Sequence, residues 1–193
     1  MQPRDDHKSC SGSLLLSVPQ MLDPNFMHSV VLVCEHTPEG AFGFVVNQPA
    51  QCTIGELVPD HPHLAALRFP VHSGGPVRSE VLQFVHRVPA HIGGGHEIAD
   101  GLFLGGDVAA LAAFAAGNQR RAQRDLRMFL GYSGWGEGQL DVELGTGSWV
   151  TLALDPELVF QTDSPETIWR KALRRLGSEG EGLSHLPPDV SWN

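Results

Sequence analysis

Glycine, above all paired glycine, is the feature that most constrains how this sequence can fold. The chain has 22 glycines among 193 residues, with pairs at Gly74-Gly75 and Gly105-Gly106. Such pairs mark turns, or places where two backbones approach too closely for a β-carbon. No shift in composition separates one half of the chain from the other. We therefore expect a single domain built from short elements.

The order of the short segments predicts an α+β domain with a mixed sheet. Residues 30–34 and 42–47 have strand patterns that predict a hairpin with a longer loop, which contains a turn at residues 37–40, and helix and strand signals mix without a strict β-α-β order. The clearest helices are 108–116, which follows Asp107 as its N-cap, and an amphipathic C-terminal helix over 164–176.

The polarity of its two ends predicts that the chain divides into three segments. Residues 1–12 are polar and are predicted to be disordered. Residues 13–177 are predicted to form the domain, and residues 178–193 a C-terminal tail. The longest apolar runs are far shorter than the roughly 20 residues that span a bilayer. The three cysteines lack C-x-x-C spacing, so we expect a cytoplasmic protein.

The net charge of −9, from 13 basic and 22 acidic residues, argues against a nucleic-acid phosphate binder. The one basic cluster contains Arg120, Arg121, Arg124 and Arg127. In a helix, three of these arginines would align as a basic stripe, which we interpret as a solvated face. Direct nucleic-acid binding is therefore not expected.

Two residues are candidate nucleophiles. Ser133 lies in a strand–turn–helix pattern like a nucleophile elbow, but Trp135 stands where that motif needs glycine. Cys34 and His36 share a face of a regular strand, as an imidazole-activated thiol requires. The alternatives are a tight turn at Ser133 and a small core residue at Cys34.

The sequence predicts neither a metal nor a cofactor. Ten histidines are present, but their spacing matches no zinc pattern and none forms H-E-x-x-H. Gly105-Gly106-Asp107 precedes a helix without a dinucleotide or P-loop motif. Asp107 is expected to cap that helix itself, where its charge would repel a phosphate.

Many short segments, in a characteristic order, resemble one protein family. They are residues 14–19, 23–26, 30–36, 40–43, 46–49, 74–77, 104–107, 131–135, 138–140, 143, 147–149, 159–160 and 169. The match runs from about Gly12 to Leu176, and the chain is identified as similar to the YqgE/AlgH family of small bacterial proteins.

The resemblance implies an α+β fold with a branched sheet and short helices. One branch of the family is described as a transcriptional regulator of exopolysaccharide production, and no catalytic residues carry over. Eight residues match family motifs and form our candidate ligand pocket: Glu35, His36, Asn47, Gly74, Gly75, Asp107, Ser133 and Gln139. The same residues would also serve to hold an irregular sheet together.

Function is therefore expected to be regulatory or binding, through a protein partner or a small ligand. The chain has no helix-turn-helix with a basic recognition helix, so direct reading of DNA is disfavoured. The alternative is a hydrolase-like or thiol-dependent enzyme that uses Ser133 or Cys34 with a histidine. A purely structural assembly protein is a third possibility, and the oligomeric state stays open.

Overall fold

The computed structural model describes residues 9–184, which contain ten strands and seven helices. The strands are β1 Leu14–Ser17, β2 Val30–Thr37, β3 Gly40–Val45, β4 Pro49–Thr53, β5 Pro70–Ser73, β6 Val77–His86, β7 His96–Ala99, β8 Leu102–Leu104, β9 Leu126–Trp135 and β10 Trp149–Leu152. The helices are α1 Ile54–Leu57, α2 Val108–Gly117, α3 Gln119–Asp125, α4 Gln139–Gly145, α5 Pro156–Val159, α6 Pro165–Arg174 and α7 Ser178–Ser184.

Strand β9 is the branch point of the sheet. The main path runs β10-β1-β2-β3-β9-β6-β8-β7, and a branch leaves β9 through β5 to β4. Strand β5 runs parallel to the first half of β9, with Val71 opposite Met128. Strand β3 runs antiparallel to the second half, with Gly43 opposite Ser133. The predicted α+β fold with a mixed, branched sheet is confirmed.

Glycine permits the close packing of backbones at this branch. Gly131, in the middle of β9, has a positive φ of 65°. A β-carbon on Gly74 would collide with the carbonyl oxygen of Gly131, and one on Gly75 would collide with the backbone of Ser133. Another strand therefore occupies the space beside the bare backbone of Gly74-Gly75, and the pair serves the fold there.

The amphipathic helix α6 closes one face of the sheet. Ser164 caps it by accepting from the Thr167 amide, and Pro165 occupies its first turn. Its apolar face buries Ile168, Trp169 and two further residues in the largest core cluster. The Trp169 indole N–H also donates to the Ser17 carbonyl at 2.8 Å, which satisfies the one polar atom of that side chain.

The two ends of the described chain differ from the predicted segments. Cys10 is buried, and the Gly12 amide donates to the Val33 carbonyl at 2.8 Å, so residues 9–12 pack against β2 rather than being disordered. Residues 178–184, the first part of the predicted tail, form α7, which packs against α6. The predictions for residues 1–8 and 185–193 lie outside the described residues.

A β-bulge in β2 decides which of its side chains share a face. Val31 and Val33 pack in a cluster with Trp135 and Trp149, whereas Leu32 and Cys34 pack in the opposite cluster. The register with β3 then shifts between Val33 and Glu35, which leaves Cys34 as the extra residue. One inserted residue reverses the alternation of side chains. Cys34 and His36 therefore face opposite sides of the sheet.

Candidate functional site

The eight predicted pocket residues do not converge on one site. Three of them belong to the branch of the sheet. Ser133 is fully buried within β9, and its hydroxyl donates to the Gly74 carbonyl at 3.1 Å. Gly74 and Gly75 lie against β9, as described above. The elbow interpretation of Ser133 is wrong, because the strand continues through Ser133 to Trp135 and its hydroxyl is engaged in the core.

Three other predicted pocket residues also hold the fold together. Asp107 caps α2, with its carboxylate accepting from the Ala110 amide at 2.7 Å. The Asn47 side chain accepts from the Val30 amide and donates to two carbonyls, one at the start of α6. Gln139 accepts from the Gly136 amide and donates to Glu143, a carboxylate that also accepts from two indoles.

Glu35 opens onto a cleft of about 580 Å³. Strands β2, β3, β6 and β9, together with the β2–β3 turn, supply its walls. The lining residues are Glu35, Thr37, Glu39, Gly40, Ala41, Phe42, Val77, Gln83, Tyr132, Gly134 and Trp135. The cleft therefore combines carboxylates with aromatic rings and is open to solvent on one side.

Two aromatic rings that line the cleft pack against each other. Phe42 and Tyr132 lie on neighbouring strands, with centroids 6.2 Å apart and an edge-to-face angle of 83°. Phe42 pairs across the β2–β3 ladder with Glu35, which places the exposed carboxylate beside these rings. Within residues 9–184, no lysine or arginine forms an ion pair with Glu35.

His36 faces the other side of the sheet and meets a different cysteine from the one predicted. Its Nδ1 lies 3.1 Å from Cys10 Sγ and 3.2 Å from the Cys10 amide nitrogen. Its Nε2 lies 3.5 Å from Asp141 Oδ1. The predicted Cys34–His36 pair is wrong because the bulge in β2 turns the two side chains to opposite faces.

Cys34 is a core residue. Burial raises the pKa of its thiol far above the ordinary value, and the nearby Glu35 carboxylate acts in the same direction. A thiol with so little thiolate is a poor nucleophile. Cys10 was missed because it lies in a short polar segment that has no periodicity or motif of its own.

Comparison with known proteins agrees with the resemblance seen in the sequence. The AlgH-like family model matches residues 14–181. The chain belongs to the AlgH-like family. Similar proteins include the UPF0301 protein of Chlorobium limicola, 36% identical over 176 residues that cover 91% of each chain. The UPF0301 protein of Vibrio cholerae is 35% identical over 182 residues, covering 90% of this chain and 95% of that one.

Solved structures share the AlgH-like fold. The solution structure of the AlgH protein from Pseudomonas aeruginosa has a TM-score of 0.68 and 27% identity, covering 93% of this chain and 96% of that one. The crystal structure of protein DIP2367 from Corynebacterium diphtheriae has a TM-score of 0.69 and 20% identity, covering 93% of both chains. The second likeness concerns the fold alone.

In this AlgH-like chain Arg120, Arg124 and Arg127 do not share one helix, so the basic stripe that a helix would give does not form. Arg127 lies in β9 rather than in α3, and it is 3% exposed. Its guanidinium donates to the carbonyls of Val46 and Gln161 and to Nε2 of His72. Burial lowers the pKa of Arg127 to about 10; burial and the arginine charge lower the pKa of His72 to about 3. His72 is therefore a neutral acceptor at pH 7.

Among residues 9–184, no three His, Cys, Asp or Glu side chains are grouped so that they could hold a metal ion. Across the same residues, no helix is both long and apolar enough to cross a membrane.

Proposed function

We propose that this AlgH-like protein is a binding protein for a small organic cation, which occupies the cleft beside Glu35. The observation that carries the proposal is the exposed Glu35 carboxylate next to the Phe42–Tyr132 ring pair, in a cleft of about 580 Å³. A ligand with an ammonium or guanidinium group on an apolar body would satisfy both features. Its charge would meet the carboxylate, and its body would lie against the rings.

The overall charge supports a cationic ligand. A net charge of −9 attracts cations toward the protein and disfavours anions of the same size. The cleft volume falls within the range of small-molecule sites, roughly 300–1,000 Å³. The burial of Arg127 reduces the basic surface that a nucleic acid would need, so the proposal names a small molecule as the partner.

A regulatory role would follow from occupancy of the cleft. Strands β2, β3, β6 and β9 all contribute to its walls, so a bound ligand would contact the sheet close to its branch. We also propose a cytoplasmic location. The three free cysteines, Cys10, Cys34 and Cys52, support it, because thiols stay reduced in that compartment.

Isothermal titration calorimetry with 2-phenylethylamine tests the proposal. The amine is cationic at pH 7, and 2-phenylethanol is its neutral counterpart. We expect saturable binding of the amine with a Kd at least about tenfold lower than that of the alcohol, because a hydrogen bond to a charged group contributes about 1.5–3 kcal/mol. Absence of saturable amine binding, or equal Kd values, overturns the proposal.

Two variants assign the binding to the cleft. Glu35→Gln keeps the size of the side chain and removes its charge, so the Kd should rise about tenfold. Tyr132→Leu removes one ring, and the Kd should rise about two- to fivefold. The matched control is Glu80→Gln, an exposed glutamate on β6 that does not line the cleft. An unchanged Kd in both cleft variants would place any binding elsewhere and contradict the proposal.

A further inference from the structure

A second cavity of about 580 Å³ lies beside Cys10, and none of its lining residues lines the cleft. It is bounded by the N-terminal segment, α4 and the edge strand β10. The lining residues are Ser9, Cys10, Ser11, Ser13, Asp141, Leu144, Trp149, Val150 and Thr151. The cavity thus brings a thiol and a carboxylate together with hydroxyl side chains and an apolar patch of Leu144, Trp149 and Val150.

Cys10, His36 and Asp141 form a chain of contacts at this cavity. The thiol sulfur lies 3.1 Å from Nδ1 of His36, and Nε2 of the same ring lies 3.5 Å from Asp141. The three residues come from three separate elements, so the arrangement exists only in the folded protein. The His36 side chain is 1% exposed, which limits the freedom of the ring.

The hydrogen bonds set the direction of proton transfer. The Cys10 amide donates to Nδ1 of His36, so Nδ1 carries the lone pair and the ring hydrogen is on Nε2, facing Asp141. Burial raises the pKa of the Cys10 thiol, and the Asp141 carboxylate acts in the same direction. The resting group is therefore a neutral thiol beside Nδ1, whose single lone pair also accepts from the Cys10 amide; that amide hydrogen bond opens when Nδ1 takes the thiol proton.

We propose that Cys10 is a nucleophile that adds to α,β-unsaturated carbonyl compounds with an apolar body, with His36 as its general base and Asp141 as a positioning residue. The thiol proton passes to His36 Nδ1, and the sulfur forms a bond to the β-carbon. The carbon–carbon π pair shifts to give an enolate. The His36 imidazolium then returns the proton to the α-carbon. The product is a thioether, with no leaving group and no change in overall redox state.

The surroundings favour addition over two other thiol reactions. Acyl transfer needs free donors for an oxyanion, but the amides of Cys10, Ser11 and Gly12 are already bonded to other groups. Disulfide formation within the chain needs a second thiol nearby, but Cys34 faces the other side of the sheet and Cys52 packs against a different core cluster. Conjugate addition also places negative charge on the carbonyl oxygen, but the enolate shares that charge with the α-carbon, so this step depends less on such donors than a tetrahedral alkoxide does.

Labelling with N-phenylmaleimide tests the proposal, because this probe is an α,β-unsaturated carbonyl compound with an apolar ring. The full chain is treated at pH 7, and peptide mass spectrometry follows the adduct at each cysteine. We expect Cys10 to react at least about tenfold faster than the partly exposed Cys52, since general-base catalysis contributes about 10²-fold or more. Cys34 should be the slowest. A Cys10 rate no faster than that of Cys52 overturns the proposal.

Variants distinguish general-base catalysis from mere exposure. His36→Gln should slow Cys10 labelling about 100-fold, whereas His91→Gln, at an exposed histidine outside the cavity, should leave it unchanged. Slow labelling of Cys34 in each variant reports that the fold is intact. An unchanged Cys10 rate in His36→Gln protein whose Cys34 stays protected contradicts the proposal.

Asp141→Asn separates positioning from simple electrostatics. Removal of a negative charge near the thiol would by itself lower the thiol pKa and speed labelling. Loss of the ring's orientation should instead slow labelling about tenfold, in line with the effect of removing a group that orients a histidine. The Asp141 side chain is 41% exposed, so the fold should tolerate this change. Faster labelling of Cys10 would overturn the positioning role.

Discussion

Two cysteines lie close to His36, one along the chain and one in space, and their environments differ. Cys34 is two residues from His36 but packs among apolar side chains on the opposite face of β2. Cys10 is 26 residues away, and its sulfur lies 3.1 Å from the imidazole. The difference teaches that a single bulge can exchange the partners of a histidine, because it reverses side-chain alternation beyond it.

The part of β2 that follows the bulge contributes to two cavities. Glu35 pairs with Phe42 and opens onto the cleft, whereas the next residue, His36, pairs with Ala41 and faces Cys10. Adjacent residues of one strand therefore serve two different surfaces of the sheet. The β2–β3 register maintains both environments, so its disruption should affect them together.

The largest expected effect comes from breaking that register. A β-carbon on Gly43 would collide with the Leu32 carbonyl in the β2–β3 ladder. Gly43→Ala should lower the free energy of unfolding by about 3 kcal/mol, because two backbones must move apart. Urea denaturation followed by tryptophan fluorescence measures the change. The control Gly93→Ala, where a β-carbon meets open space, should change it by less than about 0.5 kcal/mol.

A smaller effect should distinguish the two cysteine environments directly. Cys34→Ser places a hydroxyl in an apolar cluster and should cost about 2 kcal/mol of unfolding free energy. Cys10→Ser leaves the hydroxyl beside the His36 ring and should cost less than about 1 kcal/mol. Equal losses in the same denaturation assay would show that the two sites do not differ in polarity as described.

Alkaline pH tests the burial of the Cys34 thiol through a smaller change in the free energy of unfolding. The folded pKa of Cys34 is raised, so the unfolded chain loses that proton first, and stability is lost as pH rises above the unfolded thiol pKa of about 8.5. Above that pH the unfolding free energy should fall about 1.4 kcal/mol per unit more steeply in the parent chain than in Cys34→Ala. Parallel slopes between about pH 9 and 10 would contradict the burial of this thiol.

Local sequence signals predicted several elements correctly. Asp107 caps α2, and Ser164 with Pro165 starts the amphipathic α6, because these signals depend on atoms only a few residues apart. The glycines at 74 and 75 were predicted to mark a turn or a close backbone approach, and β9 does pass against both. The family resemblance and the α+β class also came from segment order alone.

Pairing between strands that are distant in sequence overrode two interpretations that assumed a regular local geometry. A basic stripe of Arg120, Arg124 and Arg127 required all three in one helix, but β9 begins at Leu126 and carries Arg127 into the interior. Ser133 was placed in a turn, whereas pairing with β3 keeps it in a strand. In both cases the strand register overrides a pattern that is equally compatible with a helix or a turn.

The sequence by itself determined the class of fold, the caps, the close glycine contacts and the family, since each depends on neighbouring residues or on their order. Only the tertiary structure decided which side chains meet. Hydrogen bonds between distant segments produce the bulge at Cys34, the contact between Cys10 and His36, and the branching of the sheet at β9. Such bonds leave no periodic trace in the chain, because either partner alone is compatible with many local conformations.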